Sequence, residues 1–263
     1  MSRLPRRIAH GERAELVDHL DELRGRLLIS LAAFLVAFGV CFGFHATLIG
    51  WLNGPLAGQQ PITLGVTEPF TTAVAVSLYA AFVLSIPILL WQLWSFLAPA
   101  LDKGGQKTVA RLVQIATVLL AAGMAFAYWV VLPGAIHFLL NFDSSVFQIE
   151  VRAKEYYSFA ALTILAVGLL FELPVFIVGL VRLRILTSAR LRRNRRIGVA
   201  IVIALAVALP GVDPVTTALE SIPLLALFEG SIWAAVILEK RWAMQTARKG
   251  GIGTTPADSG SAA

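Results

Sequence analysis

Glu172 lies between Phe171 and Leu173, near the middle of an apolar run from Tyr156 to Val181 in which it is the single Asp or Glu. A carboxylate at that depth costs about 2.5–3.5 kcal/mol on insertion scales. It must therefore hold a proton or face a polar cavity or partner. Pro174, two residues on, frees a backbone carbonyl and adds local polarity. Glu229 repeats the pattern in the run from Ser221 to Leu238, but that run is short and Glu229 can reach water. Asp213 belongs to Pro210-Gly211-Val212-Asp213-Pro214, an outer turn, where a helix cap before Pro214 and a functional acid are both open. A different arrangement stands near the start of the chain, His19-Leu20-Asp21-Glu22-Leu23-Arg24-Gly25-Arg26-Leu27. Leu16, Leu20, Leu23 and Leu27 form one helical stripe, and Asp18, Asp21, Glu22 and Arg24 point elsewhere. Glu22 and Arg26 have the spacing of a surface ion pair worth about 0.2–0.5 kcal/mol. The alternative is an acidic face that receives a basic partner.

Catalytic patterns are lacking. There is no Gly-x-Ser-x-Gly elbow, no His-Glu-x-x-His and no phosphate-cradling loop. His10, His19, His45 and His137 are scattered over both sides, and no span pairs a serine with a histidine at matching depth. Cys41 is the only cysteine, so no internal disulfide and no cysteine-based metal site can form. Neither a cofactor nor a metal is expected.

These residues must be positioned by membrane helices. Hydrophobic residues make up 57% of the 263 and charged residues 14%, which indicates an integral membrane protein. Runs of about 20 apolar residues define spanning helices. They are Leu27–Phe44 (with a possible extension through Trp51), Thr71–Leu97 with a kink expected at Pro87, Leu112–Leu132, Tyr156–Val181, Ile197–Leu209 and Ser221–Leu238. No stretch alternates polar and apolar over barrel-strand lengths. The expected fold is all-α and polytopic, with six transmembrane helices of which the last two are short. Residues 1–18 form a basic then acidic tail, 19–241 the membrane domain, and 242–263 a Gly/Ser/Thr/Ala-rich tail expected to be disordered. Arg6-Arg7 stands about twenty residues before the first apolar run, with no small-x-small cleavage site close behind, so the tail is read as retained.

Charge sets the orientation. With six spans, 20 of the 22 lysines and arginines fall on one side, and only Arg152 and Lys154 on the other. The positive-inside rule then puts both termini in the cytoplasm. It also accounts for the net charge of +6 without nucleic acid. The fifth run has thirteen residues before Pro210. At about 1.5 Å rise each it spans roughly 20 Å of a hydrocarbon core of about 30 Å. Such a hairpin either thins the bilayer or packs behind its neighbours. Trp51, Tyr128 and Trp129 lie near span ends, as interfacial aromatics do, and Ile136–Phe142 is expected on the outer surface. Gln92 and Gln114 can bond between helices, and Gly39-x-x-x-Gly43 is a weak packing notch.

In order along the chain, several motifs resemble the TatC family, the multi-span core subunit of the twin-arginine protein translocase. They are His19-Leu20-x-Glu22-Leu23-Arg24-x-Arg26-Leu27, then Trp94-x-Phe96-x-Ala98-Pro99-Ala100-Leu101, then Phe126-Ala127-Tyr128-x-Val130-Val131-x-Pro133. Phe171-Glu172-x-Pro174 follows, and Asp213 precedes Leu227-Phe228-Glu229. The resemblance runs from about His19 to Arg241.

What the resemblance implies is a non-enzymatic receptor in the cytoplasmic membrane of a prokaryote. It would bind the paired arginines of signal peptides on folded precursors and nucleate their proton-motive-force-driven export. Forked guanidinium recognition needs carboxylates. Glu22 would be the first acid, with Arg24 shaping the site and Phe96, Pro99 and Leu101 forming its edge. Glu172 would be the polar point of a concave membrane face. The last two spans would dock single-span TatA- and TatB-type subunits, with lipid and further copies of the chain as other partners. The pattern departs in Asp102-Lys103-Gly104-Gly105-Gln106-Lys107, where Gly105 stands in place of a second acid and Asp102, three residues away, is the candidate substitute. It departs again at Gly211-Val212, where the family favours proline before Asp213. The competing class is a proton-coupled small-solute transporter using Glu172 and Glu229, although no inverted repeat is evident. A membrane protease is a third, poorly supported class.

Overall fold

A computed structural model describes residues 10–250 apart from 57, 98–104, 147–148 and 212. The first helix, α1 (His10–Gly43), runs without a break from the polar tail into the first span. Phe44 leaves helical geometry at φ −106° and ψ 18°, and α2 (His45–Leu52) begins after it. The expected extension to Trp51 is thus a separate short helix. Next comes α3 (Glu68–Leu97), 30 residues with Pro87 inside it.

The third span is longer than its apolar run. Helix α4 (Gly105–Phe126) widens into a π turn at Ala127–Val131 and continues as α5 (Leu132–Asn141). Pro133 has no N–H to offer the carbonyl one turn back, and the wider turn just before it absorbs the lost bond. The expectation of a surface segment at Ile136–Phe142 is corrected in part. Ile136 is buried together with Leu132 one turn before it, because the continued helix carries both back against Tyr156, Tyr157 and Ala160. Phe142, just past the helix, is exposed.

The fourth span is broken into α6 (Ala153–Leu170) and α7 (Leu173–Arg182). Pro174 cannot bond to Leu170, so the helix restarts around it. The short α8 (Ser188–Arg193) leads into α9 (Arg195–Val207), and α10 (Pro214–Gly250) follows, running past residue 241. Among the described residues, five helical stretches are long and apolar enough to cross a membrane: Asp21–Gly43, Glu68–Leu97, Val109–Asn141, Ala153–Arg182 and Pro214–Arg241. Helix α9, with 13 residues, is the short fifth span of the expected six. Among the described residues there are no strands, only one parallel bridge between Ile62 and Arg152.

Three apolar clusters hold the bundle. One, toward the arginine-rich end, joins Ile86, Leu90 and Trp94 of α3 to Val109, Leu112 and Ala116 of α4 and Val175 of α7. Gly179 makes room for it: a Cβ there would lie 1.8 Å from the Trp94 ring. A second, at the opposite end, gathers Leu52, Leu56, Leu132 and the two tyrosines. The third packs Val202 and Ala206 of α9 against Leu224, Phe228 and Ile232 of α10. Gly198 allows the close approach, since a Cβ there would meet Phe228 at 2.2 Å. The first span stays outside all three and leans on α3 through Phe34–Phe82 and Phe42–Phe70 ring contacts. A Cβ added at Gly39 or Gly43 would meet nothing within 4 Å, so no other helix packs into this notch among the described residues.

Candidate functional site: carboxylates at one end and in the interior

At the arginine-rich end, Asp21, Glu22 and Arg24 are exposed on α1. The Arg26 guanidinium donates to Glu22 Oε1 from Nε at 3.1 Å, with the second nitrogen also in contact. It also reaches Gln92 Oε1 at 3.5 Å, which ties α1 to α3. The ion pair read from spacing is present, and Gln92 does bond between helices. Gln92 lies about one turn before half-buried Phe96, so the fold brings the Glu22 region and the end of α3 to the same edge. Pro99, Leu101 and Asp102 lie outside the described residues.

Glu172 sits in the break between α6 and α7. Its N–H donates to the Leu169 carbonyl, and its own carbonyl accepts from Val175 and Phe176. Phe171 beside it stacks on Phe126 and fills the space left by Gly123. The carboxyl group is 1% exposed, and neither oxygen has a hydrogen-bond partner among the described residues. It is therefore enclosed by the bundle rather than displayed on a membrane face. A separate apolar groove of about 760 Å³ lies between α1, α2, α3, the end of α4, the π turn and α6, lined by Cys41, Leu48, Tyr79, Met124, Trp129 and Ile164 among others.

The remaining acids divide. Asp213 caps α10: Oδ1 accepts the Thr216 N–H at 2.8 Å and Oδ2 the Thr216 hydroxyl. Gly211, at φ +114°, shapes the turn, and a Cβ there would strike Thr216. The capping alternative is thus realised. Glu229 pairs with Arg195 at the start of α9, with both side chains partly exposed. The acid expected in the last span is thus met by a cation where α9 and α10 pack, and it is partly exposed, as the short span implies.

Two acids were not singled out by sequence. Glu220 is 1% exposed, and both oxygens lack a partner among the described residues. It looks from sequence like a residue near the span's outer edge, and only the packing of α10 encloses it. Glu68, at the start of α3, accepts from Leu64 N–H, Gly65 N–H, Lys154 N–H and Arg152 Nε at 3.0–3.2 Å. The hydrogen bond that Arg152 donates to Glu68 raises the pKa of the guanidinium. Its one local signal is a Glu at a helix start. Among the described residues no cluster of His, Cys, Asp and Glu fits a metal ion.

Residues 18–223 match the family described as Sec-independent protein translocase protein (TatC). The chain belongs to the TatC family. A TatC described as a Sec-independent protein translocase protein from Carboxydothermus hydrogenoformans is 32% identical over 229 residues, 86% of this chain and 94% of that relative. Its counterpart from Helicobacter pylori is 35% identical over 221 residues, 84% and 87% of the two chains. A crystal structure of a twin-arginine translocase receptor TatC in DDM matches with a TM-score of 0.74 at 32% identity, covering 82% of this chain and 99% of that one. TatC is a family of protein translocase components, not of enzymes, and its multi-pass helical architecture is the one found here.

Proposed function

We propose that this TatC-family chain is the receptor and core subunit of a twin-arginine translocase in the cytoplasmic membrane of a prokaryote, with both termini in the cytoplasm. It captures the paired arginines of signal peptides on folded precursors and starts their proton-motive-force-driven export. TatA- and TatB-type single-span subunits dock on the last two spans, and copies of the chain associate in the receptor complex. The observation that carries this reading is Glu22 itself. It is exposed at the arginine-rich end of a TatC-type fold and already holds a guanidinium, that of Arg26. A signal-peptide arginine can take over that carboxylate by exchange, without having to desolvate a buried acid. Arg24 and Phe96 border the same edge, and Pro99, Leu101 and Asp102 are assigned to the same binding role from the resemblance. Glu172 acts later, in passage rather than capture.

The solute-transporter alternative loses its second acid, since Glu229 is paired with Arg195. The test is photocrosslinking from positions 22 and 102 to a precursor bearing Arg-Arg, with a Lys-Lys precursor as control. Crosslinks lost with Lys-Lys are expected at both positions. A crosslink at 22 alone keeps the receptor and removes Asp102 as substitute for the acid missing at Gly105. Arg-independent labelling at both positions rejects the receptor reading.

A further inference from the structure

Between α7 and α9 the sequence Arg182–Arg196 places seven arginines in fifteen residues with no acid among them. A positive-inside signal needs charge but not geometry; this stretch has geometry. Helix α8 is pinned to α10, because Glu239 accepts the Ser188 N–H at 2.9 Å and also the Ser188 hydroxyl. Both acids that α10 brings to this corner are thereby used: Glu239 on Ser188, and Glu229 on Arg195. Arg190, Arg192, Arg193 and Arg196 remain exposed, with no ion pair or hydrogen bond from their guanidinium groups among the described residues. Arg196 also stands in the first turn of α9, where the helix dipole disfavours a cation. After these arginines in the chain, exposed Ile197, Ile201 and Leu205 recur every four residues along α9 as one apolar stripe.

We propose that this corner is a binding site for an anionic phospholipid of the leaflet on the arginine-rich side. The phosphate headgroup is held by Arg190, Arg192, Arg193 and Arg196, and one acyl chain lies along Ile197, Ile201 and Leu205, which leaves exposed Ile222, Trp233 and Ile237 of α10 to the single-span subunits. Charge above and a continuous apolar track below match a lipid end to end, whereas an acidic soluble partner would leave the track unused. The short α9 strengthens the case, because a helix of 13 residues draws its basic end toward the bilayer and into the headgroup layer.

The test uses the purified full chain in dodecyl maltoside, equilibrated with equal amounts of phosphatidylglycerol or phosphatidylcholine and read by native mass spectrometry. Phosphatidylglycerol adducts are expected to exceed phosphatidylcholine adducts by about tenfold or more, given roughly fivefold per basic residue near an anionic headgroup. The preference falls to parity in R190Q/R192Q/R193Q/R196Q and survives in K103Q/K107Q/R111Q, which removes charge from another loop on the same side. I201S lowers adduct retention of both lipids while keeping the preference, and it reads the acyl track without touching the arginines. If the quadruple variant does not fold, loss of the wild-type preference at raised salt takes its place, since headgroup attraction is screened. Equal adducts of the two lipids on the wild-type chain, or an unchanged preference in the quadruple variant, overturn the proposal. Displacement of phosphatidylglycerol by millimolar inorganic phosphate also overturns it, by making free phosphate the ligand.

Discussion

Glu22 and Glu172 are both acids of a membrane protein, yet the fold treats them in opposite ways. Glu22 is exposed, sits where α1 enters its apolar span and shares its charge with Arg26. Glu172 is enclosed where a helix breaks and shares its charge with no described residue. Glu229 and Glu220 repeat the contrast on α10, one paired with Arg195 and the other enclosed and unpartnered. A solvated pair costs little to open, so it can exchange one guanidinium for another reversibly. An enclosed acid without a partner destabilises the resting bundle. The first kind suits recognition. The second is retained against stability, which is why an intramembrane acid is by default a functional hypothesis.

The contrast can be broken most severely at Glu172. Replacing it by Leu is expected to abolish export in a transport assay while the purified chain melts at the same or a higher temperature, because removing an unsatisfied buried group recovers about 1–3 kcal/mol. Normal export by the Leu variant would make Glu172 a structural residue only. Glu220→Leu sharpens the point: it should gain stability in the same range, and a loss would mean that Glu220 has a stabilising partner in the assembled protein. Next in size is Glu22→Ala. A charge-assisted hydrogen bond of about 1.5–3 kcal/mol corresponds to roughly 10–100-fold weaker capture of an Arg-Arg precursor in a binding assay, with an unchanged melting temperature. Asp213→Ala removes the α10 cap and should lower stability by about 1 kcal/mol, whereas Asp213→Asn, which still caps, restores most of it. Glu229→Gln should change thermal stability least, by at most about 1 kcal/mol, because its ion pair is partly exposed. A large drop there would place Glu229 with the enclosed acids.

What sequence reveals follows the same division. Local spacing made the Glu22–Arg26 pair, the Asp213 cap and the apolar spans legible, since each depends on neighbours within a turn or two. The break at Glu172 was legible as a loss of backbone bonding at Pro174, but not the closure of the bundle around the carboxyl group. Enclosure of Glu220, pairing of Glu229 with Arg195, and the fit of Trp94 over Gly179 all depend on how distant helices meet, and no residue pattern along one helix specifies that. The apolar count alone placed the end of the third span at Leu132, whereas the helix accommodates Pro133 with a π turn and goes on.

The Glu68 carboxylate has a consequence for how the chain is made. Two of its donors, Leu64 and Gly65, leave the ribosome just before it, but the other two, Arg152 and Lys154, are synthesised more than eighty residues later. Until then, a side chain that ends up 4% exposed has only half its partners. The end of the molecule where α3 begins therefore cannot lock before the fourth span has emerged. A nascent chain arrested earlier in α6 would expose that end to proteases, and one arrested after α7 would protect it.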